Sequence, residues 1–409
     1  MSKMLYNSRK KRGVCMQSLK LNDLRKAYDI NNDEELNLLY WGYLFNHQHN
    51  VNDLFEQNLA KETSIFLSTD FNADINTVVA SLIYRAAKKY NYDDNYIKDM
   101  FNEDIMYKVK LLKLFSNNIT STENDKLWMI KSMLVDVKIP IIKLVERVAT
   151  LHNISDNEES KNDLLNDTLE FYVPLAQLLG IYKIKNNLED LCFRYDENYE
   201  ETSSIVNKAT ERYNEIIKYV NDAFAKTNFN FKNDIQFKIN KKSNYDIYLK
   251  SKKMSENVGV FHNDSDFNIS GFCSVKCLTK TKTECYSMLS FIHEFGYQFG
   301  SFCDYISNFQ GDEYQALHTN VFINSNLIDF RICTKEMDNI NIYGVTYDWK
   351  NNPDLQVKLV NHYDFYHELV EVVGKYSNAE ILNRFQNDII EKRVDLSDYN
   401  PDEKQKILK

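Results

Sequence analysis

EYQALHTNVFINSNLIDFRICT, residues 313–334, shows where the helical period of this chain gives way to alternation. HTNVFI (318–323) and LIDFRICT (327–334) read as half-buried strands. In the first, Leu317, Thr319 and Val321 take one face, and His318 and Asn320 take the other. In the second, Ile328, Phe330 and Ile332 face a core, which leaves Asp329, Arg331 and Cys333 together on the opposite side. FNFKNDIQFKI (229–239) and GFCSVKCL (271–278) have strand character too, and CYSMLSFIHEF (285–295) is a helix between two of the strands.

Upstream, residues 20–155 are helical in period. INTVVASLIYRAAKKY (75–90) carries Val78, Leu82, Ile83 and Ala86 on one stripe. KLWMIKSMLVDVKIPIIKLVERVATL (126–151) reads as a helix pair broken or bent around Pro140. DTLEFYVPLAQLLGIYKIKNNLEDLCFRYDENY (167–199) reads as two helices around Gly180. SSIVNKATERYNEIIKYVNDAF (203–224) is amphipathic, with Ile205, Ala209, Ile216 and Val220 on one face. The expected plan is a basic tail (1–20), a helical domain (21–155), a helical connector (156–202), an α+β domain (203–352) and a helical C-terminal tail (353–409).

The 409 residues suffice for more than one core, and ten Gly and four Pro point to long helices with few tight loops. The net charge of −9 argues against DNA as a partner by bulk electrostatics. The one basic run, with Lys10, Lys11 and Arg12, reads as a solvated tail. No apolar stretch reaches membrane-spanning length, so a cytoplasmic protein without membrane contact is expected. Seven scattered cysteines without a CxxC pair indicate reduced thiols, and Cys273 and Cys277 have no second pair with which to hold zinc.

Three collinear segments resemble the RelA/SpoT homologues, which make and degrade the alarmone (p)ppGpp. They are DTLEFYVPLAQLLGIYKIKNNLEDLCFRYD (167–196), ECYSMLSFIHEF with FCDYISNFQGDEYQALHTNV, and IDFRICTKEMDNINIYGVTYDWKNN (328–352). The resemblance implies an α+β chain: an all-helical HD-type hydrolase-like domain, the helical connector, and a nucleotidyltransferase-like mixed-sheet synthetase domain. The larger family members continue into regulatory domains, and this chain stops about where those would begin.

In the hydrolase half, the family holds a divalent metal with a His, a His-Asp pair and a distant Asp. The pair aligns with Tyr84-Arg85, and the following acidic pair with Lys88-Lys89. Arg has the wrong sign: a unit charge about 4 Å from a cation is worth about 4 kcal/mol per unit charge product at an effective dielectric of ~20. Glu146, at the family's last metal-ligand position, is the one relic; a rival alignment uses Leu151-His152-Asn153. His47 and His49 read as a polar helix end rather than a metal pair. No Mn²⁺ is expected here, and the hydrolase half is expected to be inactive.

The family synthetase moves pyrophosphate from ATP to the 3′-hydroxyl of GDP or GTP. It uses Mg²⁺ on carboxylates, cations on the phosphates, an acid near the attacking hydroxyl and a tyrosine on the guanine. Carried over, Tyr314 is the guanine platform, with Gln315 and His318 beside it, and Asp329 is the remaining catalytic carboxylate. The family has Glu, Gln and Arg where this chain has Asp329, Arg331 and Cys333. Lys241, Lys242, Tyr245 and Lys276 match the ATP side, Lys276 replacing an Arg. The Mg²⁺-binding Asp becomes Gly271, Asp264 or Asp266 substituting only with a shifted register, and a phosphate lysine becomes Gln310. Glu313 replaces a glycine and should repel a polyphosphate. Each such contact contributes roughly 3–4 kcal/mol to catalysis.

A RelA/SpoT-type protein of alarmone metabolism is therefore expected, with a weak or silent GTP pyrophosphokinase half that needs Mg²⁺ only if active. Its partners would be GDP, GTP or ppGpp, with ATP. The alternatives are an inactive guanine-nucleotide-binding regulator, or a protein-interaction module using the C-terminal helix around Leu369, Val373 and Leu382. Under a purely structural reading, Tyr314 and Trp349 are core aromatics and His318 is a satisfied strand residue.

Overall fold

A computed structural model describes residues 21–154, 161–229, 234–249, 273–308, 313–324 and 326–391. The basic run at 10–12, Asp264, Asp266, Gly271, Gln310 and residues 392–409 lie outside the described residues. The chain divides into two compact units, residues 1–109 and 110–409.

The first unit is helical: α1 (Leu21–Ala27), α2 (Asp33–His49), α3 (Leu54–Thr69), α4 (Ile75–Lys89) and α5 (Asp94–Met100), with α6 (Glu103–Leu112) carrying the chain onward. Short polar side chains start these helices: Asn32, Asp53, Asp74 and Asp93 each accept a hydrogen bond from a backbone N–H of the first turn. The stripe expected on α4 is buried, but so is every residue from Thr77 to Ala87. α2 crosses closely over α4 at Gly42, where a Cβ would stand 3.1 Å from Val79 Cγ1.

The second unit begins with α7 (Glu123–Val135) and α8 (Lys138–Asn153). The chain breaks at Asp136 and Val137, ahead of Pro140, which sits in the first turn of α8. A first-turn residue has no intrahelical N–H bond to lose, so the proline is tolerated and does not make the break. α9 (Lys161–Asp167), a π-helical turn (Thr168–Tyr172) and α10 (Val173–Leu178) then lead to α11 (Tyr182–Phe193). Gly180, at φ +69°, makes the turn before α11. Its backbone touches that of Gly344 (φ +53°), where a Cβ would lie 2.3 Å from the Gly180 carbonyl carbon.

α12 (Tyr199–Ala225) leads into a five-stranded sheet: β1 (Gln236–Lys241), β2 (Cys273–Thr279), β3 (Tyr297–Asp304), β4 (Leu317–Ile323) and β5 (Asn326–Thr334). The order is β1-β2-β5-β4-β3, with β2 and β5 parallel and the other neighbours antiparallel. One face packs against α12 and α13 (Lys282–Phe295) through Tyr213, Val220, Met288, Ile292, Val275 and Phe330. This α+β architecture is the one expected from the sequence. The edge strand β3 was not anticipated: Tyr297, Phe299 and Phe302 are all exposed, and its pairing with β4 shifts between Phe299 and Cys303, so no alternation marks it.

After β5 come α14 (Lys335–Tyr343), α15 (Leu355–His362), α16 (Phe365–Lys375), α17 (Asn378–Arg384) and a π-helical turn (Phe385–Ile390). Leu369 is fully buried within this unit. Val373 and Leu382 are half-buried, so the apolar side of these helices serves packing.

Candidate functional site

The sheet face away from α12 and α13 holds the chemistry. Strand alternation sends Lys238, Lys276, Arg331 and His318 to it, and the pairing puts them in one row. Lys238 stands opposite Lys276, Lys276 opposite Arg331, and Arg331 opposite His318. Three strand spacings separate the ends, roughly 14 Å. Asp329 and Asn320 form the neighbouring pair on the same face. Like charges directly opposite one another destabilise a sheet, so this row costs folding energy.

Two carboxylates temper the row. Lys276 Nζ lies 2.6 Å from Asp338 on α14, both side chains 15% exposed. Arg331 Nε is 3.7 Å from Asp329 Oδ2. At the far end the Tyr314 hydroxyl and His318 Nε2 share a hydrogen bond of 2.7 Å, and Tyr305 packs edge-on to the same imidazole with centroids 5.0 Å apart. Burial first, then the Arg331 guanidinium, with Lys242 adding to it, pushes the imidazole pKa down to about 3. His318 is therefore neutral. Burial raises the Tyr314 hydroxyl above its ordinary range.

The remaining expected residues divide. The backbone of Gln315 is clamped by Asn341, whose side chain accepts from the Gln315 N–H at 3.1 Å and donates to its carbonyl at 3.0 Å. Lys242 follows β1 on the row's side, close enough to influence His318. Lys241 alternates with Phe237 and Ile239 toward the other face, and so does not join the row. Tyr245 packs on the connector, its ring 5.9 Å from Phe193. Nearby, Ser243 donates to Glu189 and Asp246 pairs with Lys185, so the segment after β1 is tied to α11. Cys333 is not open beside Asp329 and Arg331: it is 2% exposed, packed with Leu278, Ala316 and Met337 where α14 covers the sheet. Trp349 is buried, as the structural reading had it.

Glu313 departs from the simple expectation of repulsion. It has a left-handed φ of +61°, the conformation that favours glycine. Its carboxylate lies 3.5 Å from Lys358 Nζ and 3.4 Å from His362 Nδ1, so a neighbouring cation offsets its charge. These side chains line a cavity of about 240 Å³ with Tyr347 and Asp348, none of which belongs to the cationic row.

Sequence reasoning did not single out Lys238 or Asp338. Alternation in QFKINK places Lys238 with Asn240, but only the strand register brings it beside Lys276.

The donor set does not suit Mg²⁺, which prefers several oxygen ligands. Among the described residues the row's face offers Asp329 and Asp338, each already paired with a cation.

The first unit has an ion pair at the aligned hydrolase position. Tyr84 is 1% exposed, and Arg85 grips Glu56 with two bonds, Nε–Oε2 2.6 Å and Nη2–Oε1 2.5 Å. Lys89 lies 3.0 Å from Asp53. His49 donates through Nδ1 to the Phe45 carbonyl at 2.7 Å, and its Nε2 meets the Tyr92 hydroxyl at 2.6 Å, consistent with a polar helix end. In the second unit, Glu146 is buried against Lys143 Nζ at 2.7 Å. Among the described residues no three His, Cys, Asp or Glu side chains group as metal ligands, so the residues at these positions do not fit the family's divalent ion.

Two family models match the chain: an HD domain over residues 58–182, and the region found in RelA/SpoT proteins over residues 240–354. A guanosine-3′,5′-bis(diphosphate) 3′-pyrophosphohydrolase of Aquifex aeolicus is 26% identical, covering 80% of this chain and 47% of its own length. A GTP pyrophosphokinase of Myxococcus xanthus is 25% identical, covering 78% of this chain and 43% of its own. The chain thus spans about half the length of the curated relatives it matches. A solved GTP pyrophosphokinase family protein from Streptococcus pneumoniae covers 51% of this chain and 98% of its own at 15% identity, with a TM-score of 0.21, too low to bear on the fold. No helix among the described residues is long and apolar enough to cross a membrane. With an HD match followed by a RelA/SpoT match on one collinear chain, and curated relatives named for both activities, this protein belongs to the RelA/SpoT family.

Proposed function

We propose that this chain acts in (p)ppGpp metabolism as a guanine-nucleotide-binding RelA/SpoT-type protein, with a weak or silent synthetase half and an inactive hydrolase half. The observation that carries the binding reading is the row Lys238–Lys276–Arg331–His318 with Tyr314 at its end. A polyphosphate would lie along the cations, with the guanine beside Tyr314 and ATP, if bound, on the Lys242 side. Asp329, 3.7 Å from Arg331, is the residue left to act near an attacking hydroxyl.

The same geometry supports weak or absent turnover. The family's Mg²⁺ would supply charge neutralisation on the transferred pyrophosphate, and the described donors do not suit it. On the hydrolase side, Arg85 stands bonded to Glu56 where the family needs a metal ligand. A cytoplasmic location goes with this reading.

Purified protein with Mg²⁺, labelled ATP and GDP is expected to form no detectable ppGpp, and robust product would overturn the silent-synthetase reading. With Mn²⁺ and ppGpp, no pyrophosphate release is expected; release would show the hydrolase half to be alive. Calorimetry with GTP and ppGpp is expected to give heat. Its absence with both would leave the protein-interaction reading in place.

A further inference from the structure

We propose that the sheet face away from α12 and α13 takes a nucleoside polyphosphate directly, without a divalent metal, and that Arg331 supplies the charge the metal would otherwise carry. The inference rests on the nucleotide-binding reading above and names the ionic form of the ligand that this site takes.

Three observations lead there. First, Lys238, Lys276 and Arg331 stand side by side on three adjacent strands, an arrangement whose mutual repulsion a bound polyanion relieves. Lys242 brings a fourth cation to the same side. Second, among the described residues the two carboxylates beside them, Asp329 and Asp338, each lie next to a cation and are outnumbered by the positive charges. A hydrated Mg²⁺ would have to compete with those cations for the same oxygens. Third, the guanidinium lies at Arg331, two residues before buried Cys333 and on the row itself. Its planar fork, half-buried and 3.7 Å from Asp329, suits bidentate contact with phosphate oxygens. Neutral His318 and the Tyr314 hydroxyl close the end of the row with polar, uncharged groups, the surroundings a nucleoside needs rather than a phosphate.

Metal removal separates this from ordinary nucleotide binding. A magnesium-complexed nucleotide carries less negative charge than the free one, so the row binds the free form at least as well.

The test is calorimetry of the full chain with GTP and with ppGpp, once in excess EDTA and once in excess Mg²⁺. The expected result is binding in EDTA at least as tight as in Mg²⁺. Arg331→Gln, restoring the family's amide, is expected to weaken binding in EDTA by about ten- to a hundredfold, the worth of a charge-assisted contact. Lys238→Ala, at an exposed position, is a second variant that leaves the fold alone; it is expected to weaken binding and reduce its dependence on salt. Binding that requires Mg²⁺, or that neither substitution affects, overturns the metal-free site while leaving nucleotide binding intact. No binding of either nucleotide in either condition overturns the nucleotide-binding reading itself.

Discussion

His318 shows how a side chain's neighbours set its chemistry. On a strand by itself it would titrate near its ordinary 6.5; enclosed with Tyr314 and facing Arg331, its pKa falls to about 3. The unfolded chain then binds one more proton than the native one between those two values. This contribution to stability is fully present above about pH 6.5 and is lost as pH falls toward 3, at up to about 1.4 kcal/mol per pH unit. His318→Gln keeps a hydrogen-bonding partner for Tyr314 and removes the titration. Thermal melts across this window should show a shallower acid limb for the variant, and superimposable profiles would refute the assignment. Arg85 offers a second residue-scale test. Removing one partner of its buried pair strands a charge, so Arg85→Ala should cost about 3–5 kcal/mol in urea denaturation. Replacing both partners, Arg85→Met with Glu56→Leu, should recover most of that loss.

Among elements, the connector and the segment following β5 meet backbone to backbone. Gly180 and Gly344 both have positive φ, and the Val345 N–H donates to the Leu179 carbonyl at 3.1 Å. Gly344→Ala would strain the left-handed conformation by about 1–2 kcal/mol. It would also drive a methyl group into Leu179 and Gly180, where overpacking typically costs about 1–3 kcal/mol. A combined loss of about 2–5 kcal/mol in chemical denaturation is expected; a wild-type midpoint would mean the two segments part easily. The strands show why elements differ in legibility. β4 and β5 bury one face, so alternation reveals them. Edge strand β3 leaves its aromatics in water and changes register midway, so nothing in its order of residues announces a strand.

At the scale of the molecule, a chain of net charge −9 holds a local cationic row on one sheet face. Bulk charge argues against DNA but says nothing of a small polyanion held at short range. Because the row works by proximity, nucleotide affinity should fall as salt rises, while Lys276→Gln, in a pair already half-neutralised by Asp338, should weaken binding by less than Arg331→Gln. Titrations at low and high salt with the two variants check this. Equal effects would mean that Asp338 does not shield Lys276.

The amino-acid order alone determined the helical and strand segments, their α+β succession and the family. These are written in local periodicity, caps and collinear motifs, which depend on residues near one another in the chain. It also placed His318 and Asp329 on two strands, with Tyr314 just ahead of the first. The tertiary structure decided what those residues can do. Strand register aligned Lys238 with Lys276 and Arg331; α14 buried Cys333 and paired Asp338 with Lys276; Lys358 offset Glu313; Glu56 claimed Arg85. Charge acts through space over a few ångströms, and only folding brings residues far apart in sequence to that distance.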